Sequence, residues 1–150
     1  STPVATQCGA PDLRSSGGFA TQGDRQIDLN PGDAGYVLQA LSWAQNPLTG
    51  MRLTTPGELF STKKETISLW GNSMYGLAII PNASIEDVLV QNPGNDPSLG
   101  PVALFSFGAA NPGGINQMSR LGSNLFGFED IVGGGDLDYN DVILEFSPVI

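Results

Sequence analysis

Glu129, Asp130, Asp136, Asp138 and Asp141 lie with Asn140 inside a window of thirteen residues, around the triplet Gly133-Gly134-Gly135. Carboxylates this crowded repel one another, and each must stay solvated, take up a proton or find a cation. No Lys or Arg follows Arg120, so the last thirty residues carry six acids (these five and Glu145) and no base, −6 of the chain's formal −9. Apolar residues such as Phe126, Phe128, Val142 and Phe146 thread the same segment and argue against a freely solvated acidic tail. A bound hard cation is the simplest resolution, and an all-oxygen donor set rich in carboxylates favours calcium. The candidate metal ligands are therefore Glu129, Asp130, Asp136, Asp138, Asn140 and Asp141.

Asp136-x-Asp138-x-Asn140 spaces three oxygen donors at alternate positions, as the first half of an EF-hand loop does. The second half departs from that pattern: the sixth position is Asp141 where glycine is required, and the twelfth is Ser147 rather than Glu. No helical period flanks the loop, so an EF-hand is rejected. The glycine triplet instead permits backbone angles closed to other residues, letting the chain fold back and turn oxygens towards an ion. Glu129 and Asp130 would approach from the incoming strand, and Asp136, Asp138 and Asn140 from the loop. A solvated acidic hairpin chosen for turn propensity alone is the plainer alternative, but the donors are denser than a turn requires.

The elements that must position this loop read as short strands. Residues 26–29, 51–54, 66–70, 75–80, 102–107, 117–120, 125–128 and 141–146 are strand-like. So is the apolar run 36–43, expected to be a buried strand. Turn signals such as Asn30-Pro31-Gly32-Asp33, Pro81-Asn82 and Asn111-Pro112-Gly113-Gly114 separate them. Residues 85–91 form one short helix, with Ser84 as N-cap and Glu86 and Asp87 in its first turn. The expected fold is all-β with that one helix, an antiparallel β-sandwich or jelly-roll-like domain. Residues 1–25, rich in Ser, Thr, Gly and Gln, read as a linker or weakly ordered edge, and 26–150 as a single domain.

Composition narrows the chemistry. The chain has no histidine, which removes the commonest general base, the usual zinc ligand and the familiar nucleophile arrangements that need one. The single Cys8 allows no internal disulfide, matches no redox motif and reads as a bland thiol. Six Lys and Arg against fifteen Asp and Glu make nucleic acid a poor partner. No apolar run reaches membrane-spanning length. The first residues lack the basic and apolar regions of a signal peptide, so a leader was removed or the segment comes from a longer secreted protein. A histidine-free glycosidase is the enzymatic alternative, with Glu58, Glu65 and Glu86 as its candidate acids. None sits in a recognisable setting, and the loop acids are too many and too close for an acid and nucleophile pair, so no enzyme is expected. Asn82-Ala83-Ser84 is formally a glycosylation sequon.

The runs Tyr75-Gly76-Leu77-Ala78-Ile79-Ile80-Pro81-Asn82, Gln91-Asn92-Pro93, Val102-Ala103-Leu104-Phe105-Ser106-Phe107 and Ala109-Ala110-Asn111-Pro112-Gly113-Gly114 precede two further motifs. These are Phe126-Gly127-Phe128-Glu129-Asp130 and Gly133-Gly134-Gly135-Asp136-Leu137-Asp138-Tyr139-Asn140-Asp141. Together, over roughly the C-terminal half, they resemble the DUF4114 family, a domain of unknown function from secreted and surface proteins of bacteria. Gln117-Met118 stands where a more polar pair is expected, and Leu137 where a base is common. The resemblance implies a β-rich calcium-binding module of adhesin-type proteins, extracellular or on the cell surface, and supplies no catalytic residue.

Two roles are open on this reading. Calcium either organises loops that bind a surface glycan or peptide, or is purely structural in a spacer or assembly domain. In the first case the loops 92–96 and 111–116 supply the candidate ligand-binding residues Asn92, Asn95, Asp96, Asn111 and Asn116. Trp43, Trp70 and Tyr139 are the candidate stacking surfaces.

Overall fold

The computed structural model describes residues 4–8, 19–20, 27–45, 51–54, 62–66 and 75–148. In chain order the elements are β1 (Val4–Cys8), β2 (Phe19–Ala20), β3 (Ile27–Asp28), α1 (Tyr36–Gln45), β4 (Met51–Thr54) and β5 (Gly76–Ile80). Then come α2 (Ile85–Gln91), β6 (Leu104–Phe105), β7 (Met118–Arg120), β8 (Leu125–Phe128) and β9 (Val142–Glu145), with two 3₁₀ turns at Gly108–Ala110 and Pro112–Gly114. All pairings are antiparallel. One sheet runs β4-β1-β5-β6, a second β7-β8-β9, and β2 and β3 form a short ladder of their own. The described residues are thus mostly β, with two helices rather than the one expected.

Strand β5 is apolar at every position because both of its faces are covered. Ala78 and Ile80 join Val37, Leu41, Val88 and Phe105 in a cluster beneath the helices. Ile79, from the alternate face, meets Leu104, Phe128 and Val142, with Leu77, Met118 and Leu144 partly buried around them. The period of two along a strand separates these sets. One layer of helices therefore covers one face of the four-stranded sheet, and the three-stranded sheet carrying the acidic loop packs on the other.

Helix α1 corrects the expectation of a buried strand over residues 36–43. Val37, Ala40, Leu41 and Ala44 are its buried residues, at spacings of three and four, while Leu38 and Ser42 face solvent. Tyr36 sets its ring edge-on to Phe105, centroids 5.7 Å apart, and Gln39 Oε1 accepts from Leu29 N at 2.8 Å. Asn46-Pro47 follows in the sequence and disfavours continuation. Helix α2 matches its expected span. Ser84 Oγ accepts from Asp87 N at 3.1 Å while Asp87 Oδ2 accepts from Ser84 N at 2.9 Å, a reciprocal capping box.

The strand expected over 102–107 is confined to β6, since Asn111 draws the chain into turns just beyond it. Val4–Cys8, in the segment expected to be linker or edge, lies between β4 and β5. The strand expected over 66–70 lies, apart from Thr66, outside the described residues. Among those residues no helix is long and apolar enough to cross a membrane.

Glu86 ties three elements together. Its Oε1 accepts from Arg52 Nη2 of β4 at 2.6 Å and from Gln45 Nε2 of α1 at 3.0 Å. The Arg52 hydrogen bond, first among its causes, pulls the Glu86 carboxyl down from 4.5 to about 2. A depressed folded-state value means that the contribution is present above about pH 4.5 and is lost as pH falls through about 2. The pair is half exposed, so it contributes only about 0–1 kcal/mol. Glu86→Gln is therefore expected to lower the melting temperature by roughly 1–3 °C at neutral pH and by much less at pH 2, read by calorimetry at both.

Candidate metal site

The loop between β8 and β9 spans residues 129–141, and its two ends are tied together. Phe128 pairs with Val142 as the last rung of the ladder. Beyond it Asp130 N donates to Asp141 Oδ2 at 3.0 Å, and Glu129 N donates to Gln117 O at 2.9 Å. Gly134 N reaches Ile131 O at 3.0 Å and Leu137 N reaches Gly134 O at 2.9 Å, two consecutive turns. Five residues of this stretch have positive φ: Gly133, Gly134 and Gly135, then Leu137 at 62° and Tyr139 at 56°. A left-handed conformation costs a side-chain-bearing residue roughly 1–2 kcal/mol, so the fold pays twice for the alternation that sets Asp136, Asp138 and Asn140 apart from their neighbours.

The folded-back loop gathers Glu129, Asp136 and Asp138. One carboxylate oxygen from each lies within 4.8 Å of the others. Two oxygens bound to one calcium ion at about 2.4 Å each stand at most about 4.8 Å apart, so this spacing suits a shared ion. Glu129 is only 1% exposed, and its Oε1 accepts from Tyr139 N at 2.5 Å. At Gly135 (φ 51°) a Cβ would come within 2.5 Å of Glu129 Oε2, so both conformation and space demand glycine there. Asp136 Oδ1 accepts from Asp138 N at 3.4 Å, and Asp138 Oδ1 from Asn140 N at 3.1 Å. These three acids could hold a metal ion.

The other expected ligands are arranged differently. Asn140 turns its amide nitrogen to Asp138 Oδ2. Asp130 and Asp141 pair with each other, and burial together with the Asp141 charge pushes the Asp130 carboxyl above its ordinary value. Among the described residues no base pairs with any of them. Arg120, the last in the chain, spends its guanidinium on the Gly122 and Ser123 carbonyls.

The candidate ligand-binding residues are largely framework. Asn92 Nδ2 donates to Asp96 O and Pro101 O while its Oδ1 accepts from Asp96 N, all within 3.1 Å. Asn95 bonds Ala103 N and Ala103 O, both at 2.8 Å. Asn111 serves Phe105 N, Phe105 O and Ile115 O. All three are buried, holding loops by reproducing backbone pairing. Asp96 is exposed and receives Ser98 N and Oγ. Asn116 is exposed, with its Oδ1 close over Gly108. None of these five joins the acid cluster.

Trp43 and Tyr139 are half-buried, and Trp70 lies outside the described residues. Of the glutamates weighed as glycosidase acids, Glu58 is also outside them, Glu65 is ion-paired to Lys63, and Glu86 is held low where a general acid needs raising. Ser84 of the sequon is engaged by Asp87. Gln117, singled out in the sequence only as a departure from the family pattern, has a placement that sequence reasoning missed. It is wholly buried beside Glu129, and only its register across from Glu129 reveals this.

Residues 70–147 match the family model described as a domain of unknown function, DUF4114. The chain belongs to that family, as its C-terminal motifs indicated. A search of curated proteins found no match, and neither did a search of solved structures.

Proposed function

We propose that the chain is a calcium-binding β-sandwich module of a secreted or cell-surface protein, in which the ion rigidifies the 129–141 loop. The observation that carries this reading is the buried Glu129 carboxylate drawn together with Asp136 and Asp138 where no base follows Arg120. Calcium rather than magnesium suits a flexible donor set of carboxylates that needs loop carbonyls and water to complete six to eight oxygens. The sandwich reading is supported by the packing of Ile79 and Leu104 from one sheet on Phe128 and Val142 from the other.

Between the two roles for the ion, the structural one is favoured. Asn92, Asn95 and Asn111 have their amides committed to backbone, leaving little for a ligand. The module then serves as a spacer or assembly unit that rigidifies where calcium is abundant, outside the cell. The recognition role, for a surface glycan or peptide, remains the competing one. Binding to glycan and peptide arrays in calcium by wild type, lost in a variant that folds without calcium, would favour it.

Thermal melts with added calcium test the shared claim. At a hundred times the dissociation constant, calcium contributes about 2.7 kcal/mol to the folded state, which raises the melting temperature by roughly 5–10 °C for a chain of this size. Asp138→Ala is expected to abolish most of that rise while leaving the melt in chelator close to wild type. A wild-type melt indifferent to both calcium and chelator would falsify the proposal.

A further inference from the structure

The side chain of Gln117 is wholly buried, and among the described residues its Oε1 is the one buried side-chain polar atom without a hydrogen-bond partner. A buried acceptor left without a donor carries its full desolvation cost, so an amide oxygen held in such a place implies something electropositive for it to face. Its orientation is set by the other half of the amide: Nε2 donates to Ile131 O at 3.1 Å, and exchanging the two amide atoms would set oxygen against oxygen.

The backbone says which groups share its face. Met118 pairs with Phe128, and the ladder continues one step as Glu129 N donates to Gln117 O at 2.9 Å. Residues opposite one another in an antiparallel pair put their side chains on the same face, with Cβ atoms about 4.5–5.5 Å apart. Gln117 and Glu129 are thus adjacent on one face, both fully buried. One is a carboxylate already gathered with Asp136 and Asp138, the other an oxygen with no donor. Acceptors side by side, with Arg120 turned to loop carbonyls, are what a cation satisfies and a hydrophobic core does not.

We propose that Gln117 Oε1 is a further oxygen ligand of the ion held by Glu129, Asp136 and Asp138, a neutral donor supplied from β7's leading edge. The inference rests on the reading of that cluster as a calcium site. A neutral carbonyl raises the oxygen count towards what calcium needs without adding charge to an already acidic site. It also couples the ion to a second strand, so that calcium fastens β7 to β8 as well as closing the loop.

The test is calcium chloride titration by calorimetry, with melts in chelator, on wild type, Gln117→Met and Gln117→Glu. Gln117→Met keeps the volume and removes the oxygen, and Ile131 O retains Gly134 N as a donor. It is expected to melt in chelator at or above wild type and to bind calcium at least about ten-fold more weakly, since loss of even a supporting contact at a metal site costs about ten- to a hundred-fold. Gln117→Glu restores an oxygen with charge. It is expected to melt lower in chelator and to show a larger calcium-induced rise than wild type. Should Gln117→Met fail to give a cooperative melt, the Gln117→Glu result decides alone. Wild-type affinity in Gln117→Met, or a calcium response in Gln117→Glu no larger than wild type, overturns the role of Gln117 while leaving the site intact. No binding by wild type overturns the site and this inference together.

Discussion

Glu129→Gln is expected to melt above wild type in chelator and below it in millimolar calcium. Without an ion, the Glu129 carboxylate is buried beside Asp136 and Asp138, within 4.8 Å oxygen to oxygen, and its one hydrogen bond comes from Tyr139 N. The amide keeps the shape and can still accept from Tyr139 N, while removing a buried charge that no base among the described residues offsets. Relief of a buried unpaired charge is worth about 1–3 kcal/mol here, or roughly 3–8 °C. With calcium present the balance reverses. The variant loses an anionic ligand at the least exposed corner of the site, and its affinity falls by about a hundred-fold or more, so it forfeits most of the stabilisation that saturating calcium gives wild type. Melts of both proteins in chelator and in calcium, recorded at one protein concentration, check the crossing. A variant that stays at or above wild type in calcium as well as in chelator would mean that Glu129 is not a ligand.

The acid cluster was legible because its signal is local. Glycine triplet, alternating acids and missing bases all lie within one short stretch, and the loop's flanking strands follow from the hydrophobic runs that bound it. Helix α2 was legible for the same reason, since Ser84 and Asp87 announce its start from three residues apart. Helix α1 was not. Its buried stripe of Val37, Ala40, Leu41 and Ala44 is present in the sequence, but Leu38, 46% exposed, and half-buried Trp43 fill the gaps and blur it into a continuous apolar run. A continuous run of that length fits a buried strand as well as a helix.

The asparagines were misleading for a different reason. Asn favours turns and also decorates ligand loops, and nothing within residues 111–116 reveals that Asn111 returns to the Phe105 backbone. Gln117 was invisible because its meaning lies in strand register: only the pairing of Met118 with Phe128 places it opposite Glu129. Asp130 and Asp141 show the remaining limit. Sequence proximity put all the acids in one set, whereas the ladder at Phe128 and Val142 leaves these two facing each other across the loop's neck. Backbone pairing divides five acids into a cluster of three carboxylates and a separate pair.

That dependence on backbone makes Gly127→Ala the most damaging single methyl that can be added near the site. Gly127 sits in the middle of the three-stranded sheet, paired with Ser119 on one side and Ile143 on the other. A Cβ there would fall inside the Tyr139 carbonyl oxygen and 2.8 Å from Leu121 Cδ1. Leu121 can turn aside, but the carbonyl is backbone, and the same residue's N–H holds Glu129 Oε1. Pushing Tyr139 outward therefore withdraws the amide that orients the buried ligand. Overpacking against backbone costs about 2–3 kcal/mol, a fall of roughly 5–10 °C in the chelator melt. Calcium affinity should drop by about ten-fold or more, as for a lost supporting contact at a metal site. Gly133→Ala provides the comparison: its Cβ meets nothing within 4 Å, so only the φ of 94° resists it, at about 1 kcal/mol. If the two alanines cost the same, Tyr139 is free to move, and the site owes its shape to the glycine triplet rather than to its contact with β8.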